Sequence, residues 1–191
     1  MATRQSFASA HDLELVALVA GGDRPAFGEL VRRHGSAVRA LIRRMGADPA
    51  TADDVAQDAF LTAFEQISEF RGQGAFQGWV KRIAARAYAK RWRREARLEL
   101  LADADEAPPS GQASGEGEAA ARIDLDAALA GLSAPERVCV SLCYGAGLSH
   151  AEAAVALNAP LGTVKSHVKR GLDKLRARLA PEAGGRSEAH V

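Results

Sequence analysis

No stretch of this sequence has an apolar run approaching the ~20 residues of a membrane span, so membrane insertion is not expected. The N-terminal stretch MATRQSFASAHDLEL lacks the continuous apolar segment of a secretory signal, so the expected location is cytoplasmic. Cysteine is scarce. Cys139 and Cys143 stand four apart in one apolar helical stretch, and the lack of other cysteines in a chain expected in a reducing compartment argues against a disulfide framework. The pair reads as two buried, inert thiols rather than a redox or metal site. The histidines, His11, His34, His150, His167 and His190, are scattered without paired metal-ligand spacing, so no metal and no cofactor is expected. No His stands against a Ser or Cys nucleophile, and there is no phosphate loop. Catalytic residues are therefore absent from the reading, as is a small-molecule substrate, and the chain is not expected to be an enzyme.

Aromatics make up only 5% of the chain and β-branched residues are sparse, while alanine and leucine dominate. That bias favours helices over sheets. The 191 residues are 47% apolar, enough to bury a core in one ordinary domain or two small ones. A large net charge is also missing: the balance is +1, which alone would argue against a nucleic-acid binder. The distribution says otherwise. Residues 71–97 hold nine Lys/Arg against one acid, residues 99–126 eight acids against one Arg, and residues 161–180 six Lys/Arg against one Asp. Two basic blocks flanking an acidic one are the footprint of polyanion contacts at specific places.

The acidic block includes DADEAPPSGQASGEGEAA, rich in Pro, Gly and Ser and without apolar periodicity, which reads as a flexible, self-repelling linker. The expected organisation is a tail at 1–11, a helical domain at 12–101, the linker at 102–121, a second helical domain at 122–180 and a disordered tail at 181–191. The fold class is all-α: two small helical domains joined by a flexible acidic linker, the C-terminal one a helix-turn-helix. In the first domain Asp12 is expected to cap a short helix. Asp23 caps the next, with Pro25 in its first turn. Phe27, Leu30, Val31, Val38, Leu41, Ile42 and Met45 recur at helical spacing until Gly46 and Pro49 interrupt. A further helix carries Val55, Ala59, Phe60, Ala63, Phe64 and Ile67 on one stripe, and a long one runs from about Phe76 to Leu98. The second domain is expected to hold helices at 123–132, 135–144, 149–157 and 161–179.

Three constellations carry the function. In LSHAEAAVALNAPLGTVKSHVKRGLDKL, Ser149 and Glu152 form a capping box, and Asn158 suits a left-handed turn residue. Val164, Val168, Leu172 and Leu175 give the next helix a buried side, and its other face shows Thr163, Lys165, Ser166, His167, Lys169 and Arg170. That is a helix-turn-helix whose second helix would enter the major groove. In FQGWVKRIAARAYAKRWRREARL, Arg82, Arg86, Lys90, Arg93 and Arg97 share a stripe, with Ala84, Ala85, Tyr88, Trp92 and Ala96 opposite. A basic stripe beside an aromatic suits single-stranded nucleic acid; that Phe76 and Trp79 are core aromatics stands equally open. In DDVAQDAF, Asp53, Asp54, Gln57 and Asp58 line one side of a helix. They read either as a docking surface for a basic protein or, for Asp53 and Asp54, as charges placed on the helix dipole.

The order of these motifs resembles the bacterial sigma-70 family, and the two-domain layout with a short linker is similar to its extracytoplasmic-function group. The resemblance implies a promoter-specificity subunit of RNA polymerase, of the kind used in stress responses, with core RNA polymerase and promoter DNA as partners. It implies that Asp53, Asp54, Gln57, Asp58, Leu61 and Phe64 meet the clamp helices of the polymerase β′ subunit. It places −10 recognition and melting on Phe76, Trp79, Lys81, Arg82, Arg86, Lys90, Arg93 and Arg94. It places −35 recognition on Thr163, Lys165, Ser166, His167, Lys169, Arg170 and Lys174, with the second domain near the β flap. An anti-sigma factor is a further implied partner. Two other readings fit part of the chain: a LuxR-type helix-turn-helix regulator, and a sigma mimic that sequesters an anti-sigma factor.

Overall fold

The computed structural model describes residues 7–72, 74–99 and 125–179, all of whose regular structure is helical. The expected linker and C-terminal tail lie outside the described residues. Among the described residues eight α-helices follow in order. They are α1 (Asp12–Ala20), α2 (Arg24–Arg44), α3 (Pro49–Glu65), α4 (Phe76–Glu99), α5 (125–130), α6 (Ala134–Val140), α7 (His150–Leu157) and α8 (Leu161–Leu179). Short 3-10 turns stand at Phe7–Ser9 and Ile67–Glu69.

The helix starts are chemically explicit. Asp23 accepts the Ala26 N–H at 3.1 Å, and Asp48 accepts the Thr51 N–H at 3.0 Å, each ahead of a proline in the first turn. At α1 the expected cap is displaced by one residue: His11 is the cap, and its N–H donates to Glu14 Oε2 at 2.9 Å. Asp12 has other partners. Its carboxylate lies 2.7 Å from His34 Nε2 and accepts from Arg33 Nη1 at 3.2 Å, which fastens α1 to α2. Arg33 also donates to the carbonyls of Phe7 and Ala10, closing the N-terminal turn onto α2.

Helices α1–α4 bury the stripes that the periodicity indicates. Leu30, Val38, Leu41 and Ile42 of α2, with Met45 at its C-cap, meet Val55, Ala59, Phe60 and Ala63 of α3 and Phe76, Val80, Ala84, Ala85 and Tyr88 of α4. Ile67 lies in the 3-10 turn after α3 rather than in the helix itself. The expected helix at 135–144 is interrupted: α6 ends at Val140 and a wider π turn takes Ser141–Gly145, with the Ala146 N–H reaching back to the Ser141 carbonyl at 3.0 Å. Around α8, Val140 and Leu175 join Ala128, Leu129 and Leu132 in a small separate cluster.

The two helical units pack against each other. Buried side chains from α1–α4 and from α6–α8, among them Val138, Leu142, Leu148, Ala153 and Val164, form one continuous apolar cluster. Backbone approach is close there. A Cβ at Gly145 would stand 2.6 Å from Leu41 Cδ1, and one at Gly46, whose φ is +110°, 2.5 Å from Arg137 Nη2. Gly46 is therefore held to glycine by its positive φ, while a side chain at Gly145 would require Leu41 to shift.

Candidate protein-docking and nucleic-acid interfaces

Helix α3 presents a sharply divided surface. From Thr51 to Phe60, pairs of buried residues alternate with pairs of exposed ones, and the exposed pairs are Asp53–Asp54 and Gln57–Asp58. Because the helix starts at Pro49 with Asp48 as its cap, Asp53 and Asp54 sit beyond the first turn, where dipole compensation has faded. Helix capping therefore does not explain them. Leu61 continues the face with 55% of its surface exposed. Phe64 is half-buried, its ring edge-on to Phe27 at 5.0 Å, and forms the apolar end of the same strip. Arg39 of α2 lies 3.5 Å from Asp53 Oδ1 at the margin.

On α4 the basic residues separate by depth. Arg82, Arg86, Lys90 and Arg94 are exposed, whereas Lys81 and Arg93 are half-buried. Burial, with some repulsion from Arg44, lowers the Lys81 ammonium below its ordinary value. The aromatics at the start of α4 belong to the interior. Phe76 is 1% exposed, its ring edge-on to Phe70 at 5.7 Å and tilted against His34 at 5.7 Å and Trp79 at 5.8 Å. In this conformation Phe76 cannot offer a face to a base, which corrects the expectation placed on it. Trp79 is half-buried against Phe70 at 5.3 Å.

The helix-turn-helix is built as its sequence indicates. Ser149 Oγ accepts the Glu152 N–H at 3.2 Å while Glu152 Oε2 accepts the Ser149 N–H at 2.9 Å, closing the capping box. Asn158 takes the left-handed conformation with φ 49° and ψ 45° and ends α7. Helix α8 buries Val164, Val168, Gly171 and Leu175. Thr163, Lys165, Ser166, Lys169 and Arg170 face outward with His167 half-covered. Ser166 Oγ donates to the Gly162 carbonyl at 2.9 Å, and Arg170 Nη2 lies 3.0 Å from His167 Nδ1, so two of the outward groups are pre-oriented by their own helix.

One determinant escaped sequence reasoning. Glu136, only 4% exposed, accepts two hydrogen bonds from Lys174 Nζ at 2.8 and 3.0 Å and lies 3.6 Å from Arg170 Nε. Lys174, expected to meet DNA, therefore directs its ammonium at α6 and holds α8 in place. The sequence signal was there: Ser133 and Glu136 have capping-box spacing, and the Ser133 N–H donates to Glu136 Oε2 at 3.1 Å. The Lys174 hydrogen bond holds the Glu136 carboxyl below its ordinary value of 4.5. A lowered folded-state value means the stabilisation is fully present above that ordinary value and is lost as pH falls through the folded-state one. Glu136→Gln should therefore lower the melting temperature at neutral pH. The gap from the native chain should narrow as pH falls below the ordinary carboxyl range, which thermal melts at neutral and acid pH check.

The cysteines are shielded. Burial pushes the Cys139 thiol up to about 12, and raises that of half-buried Cys143, so both stay protonated and unreactive at neutral pH. Among the described residues no helix is long and apolar enough to cross a membrane.

A basic helix followed by a helix-turn-helix on an all-α chain places the molecule among helical transcription proteins. Comparison with known proteins narrows this. Residues 30–98 match the model of Sigma-70 region 2, and residues 122–175 that of Sigma-70, region 4. The chain is 34% identical to the RNA polymerase sigma factor NccH of Alcaligenes xylosoxydans xylosoxydans, with 88% of this chain and 94% of NccH covered. It is likewise 34% identical to the ECF RNA polymerase sigma factor SigE of Mycolicibacterium smegmatis over 82% of this chain, spanning 62% of that longer relative. A solved structure of CnrH in complex with the cytosolic domain of CnrY matches with TM-score 0.50 and 31% identity, covering 90% of this chain and 99% of that one. The chain belongs to the sigma-70 family, in its extracytoplasmic-function group.

Proposed function

We propose that this chain is a dissociable, non-enzymatic subunit that binds core RNA polymerase in the cytoplasm and directs promoter-specific initiation. The observation that carries this reading is the succession, on one chain, of a divided acidic face on α3, a basic face on α4 and a helix-turn-helix at α7–α8. Residues 12–101 act as the polymerase-binding and −10 domain, residues 122–180 as the −35 domain, and residues 102–121 connect them. Asp53, Asp54, Gln57, Asp58, Leu61 and Phe64 dock on the β′ clamp helices, and the second domain on the β flap. Arg82, Arg86, Lys90, Arg93 and Arg94 carry the phosphates of the −10 region, with half-buried Trp79 in the first turn of the same helix. Thr163, Lys165, Ser166, His167, Lys169 and Arg170 read the −35 element. A LuxR-type regulator would not need the first domain, which residues 30–98 supply here.

A protein partner of the anti-sigma type is supported by membership of the family and by the likeness to CnrH, which was solved bound to the cytosolic domain of CnrY. Run-off transcription with core polymerase on genomic fragments tests the central reading; failure to bind core polymerase or to start transcription at defined sites overturns it. Lys165→Ala and Arg170→Ala should each weaken promoter-directed transcription by roughly 5- to 150-fold, the equivalent of ~1–3 kcal/mol per base contact. Polymerase binding should remain intact. Equal loss of both functions would show instead that α8 serves only the fold.

A further inference from the structure

The outward face of α8 carries a pair of side chains whose hydrogen-bonding roles are decided within the protein. Arg170 Nη2 lies 3.0 Å from His167 Nδ1, on the preceding turn of the same helix. An arginine guanidinium stays charged and carries only N–H donors, so it has nothing with which to accept. The imidazole nitrogen is therefore the acceptor. A neutral imidazole has a single ring proton, and with the Nδ1 lone pair engaged that proton sits on Nε2.

Arg170 is itself held from the interior. Its Nε lies 3.6 Å from Oε1 of Glu136, a side chain of α6 that is only 4% exposed. The bonds from Lys174 and from the Ser133 N–H keep the Glu136 carboxyl below its ordinary value, so it faces the arginine as a fixed anion at neutral pH. Two of the three guanidinium nitrogens, Nε and Nη2, are thus committed within the protein. Arg170 cannot offer the two-pronged edge with which arginine reads guanine without giving up these partners. Thr163, His167 and Arg170 follow at four- and three-residue spacing and share one side of α8. Of the last two, His167 is the nearer to the N-terminal end of the helix, the end that meets base edges in this motif.

From this chain of contacts we infer that His167 is a specificity-determining residue: Arg170, as a positioning residue, fixes its Nε2–H as a hydrogen-bond donor, and that donor selects guanine. The inference rests on α8 being the −35 reader. The choice of base follows from the major-groove edges. Guanine presents two adjacent acceptors, N7 and O6, whereas cytosine presents the N4 amino donor, which would oppose the Nε2–H. Adenine offers N7 beside a donor at N6, and thymine a single O4 beside a methyl group, so each is a poorer match. The other tautomer would reverse the preference, because a bare Nε2 accepts from cytosine N4 or adenine N6. Base preference at this position therefore reports where the ring proton sits.

The test uses the full chain assembled with core RNA polymerase and a promoter pool randomised across the −35 element, sequenced before and after transcription. One position should favour guanine over cytosine by roughly five- to tenfold. His167→Ala should flatten that position alone, and Lys165→Ala should leave it unchanged. Arg170→Met keeps the length of the side chain but removes the donor, and should lower the guanine preference at the same position. Arg170→Lys restores a donor and should recover part of it. An Arg170 that served only the fold would instead depress every position together, which overturns its positioning role. On the free chain at about pH 8, above the ordinary histidine range, long-range proton–nitrogen correlation spectra should show His167 protonated at Nε2. Its signals are identified by their absence from His167→Gln. An Nδ1-protonated ring in the native chain overturns the inference, and so does a guanine preference that survives His167→Ala. Where the alanine variant folds poorly, His167→Gln serves in the pool, since its amide accepts as well as donates and should flatten the same position. The two readings fail separately. A native pool with no −35 preference removes α8 from the promoter and the base assignment with it, whereas a −35 preference untouched at His167 removes only the assignment.

Discussion

Replacing Asp54 and Asp58 with lysine is expected to abolish association with core polymerase, a loss on the order of 10²–10³-fold. Each change removes an attraction of about 1 kcal/mol at a basic partner surface and installs a repulsion of similar size, and the two together compound. The fold should not notice. Both carboxylates project from the exposed side of α3, while Val55, Ala56, Ala59 and Phe60 on the other side hold the helix to its neighbours. Helix initiation belongs to Asp48 and Pro49, so the N-terminal dipole is already compensated without Asp54. Circular dichroism melts should stay within about 0.5 kcal/mol of the native chain. The measurement is binding to immobilised core polymerase, with promoter-independent DNA binding by the variant as a control. A native affinity in the variant would remove α3 from the docking surface and leave its divided exposure without a role.

Local chemistry was legible in the sequence wherever one short segment determines its own outcome. Ser149, Glu152 and Asn158 specify the start and end of α7, and the structure places all three in those roles. The apolar spacing of α2, α3 and α8 likewise identifies their buried sides, because an amphipathic surface helix gathers its apolar residues on one stripe. What stayed hidden depends on partners far along the chain. Asp12 looks like a cap until His34, 22 residues away, takes its carboxylate. Lys174 looks like one more cation on a recognition helix until Glu136, 38 residues earlier, claims its ammonium. Arg82 and Arg86 read as free phosphate ligands, and only the fold reveals Gly147 and Glu152 opposite them. The shortened α6 is a similar case: periodicity continues through Tyr144, but the backbone widens into a π turn where Gly145 meets Leu41. Periodicity reports which face is apolar, not which neighbour covers it.

Phe76→Ala carries the second large effect, and it separates two readings that the sequence left level. Stacking on an unpaired base requires an accessible ring, whereas Phe76 is enclosed by Phe70, Trp79 and His34 at the first turn of α4. Truncating a buried phenylalanine costs about 3–5 kcal/mol, from lost transfer free energy and the cavity left behind. For a chain of this size that is a fall in melting temperature of roughly 6–20 °C. Phe76→Leu retains most of the volume and should recover much of the loss. Promoter opening by Phe76→Leu should then match the native chain when assayed well below its melting temperature, because a leucine fills a core but cannot replace a stacking ring. The contrary result is equally definite. If Phe76→Leu is stable yet fails to open promoters, while Phe76→Tyr succeeds, the ring must leave the core on DNA.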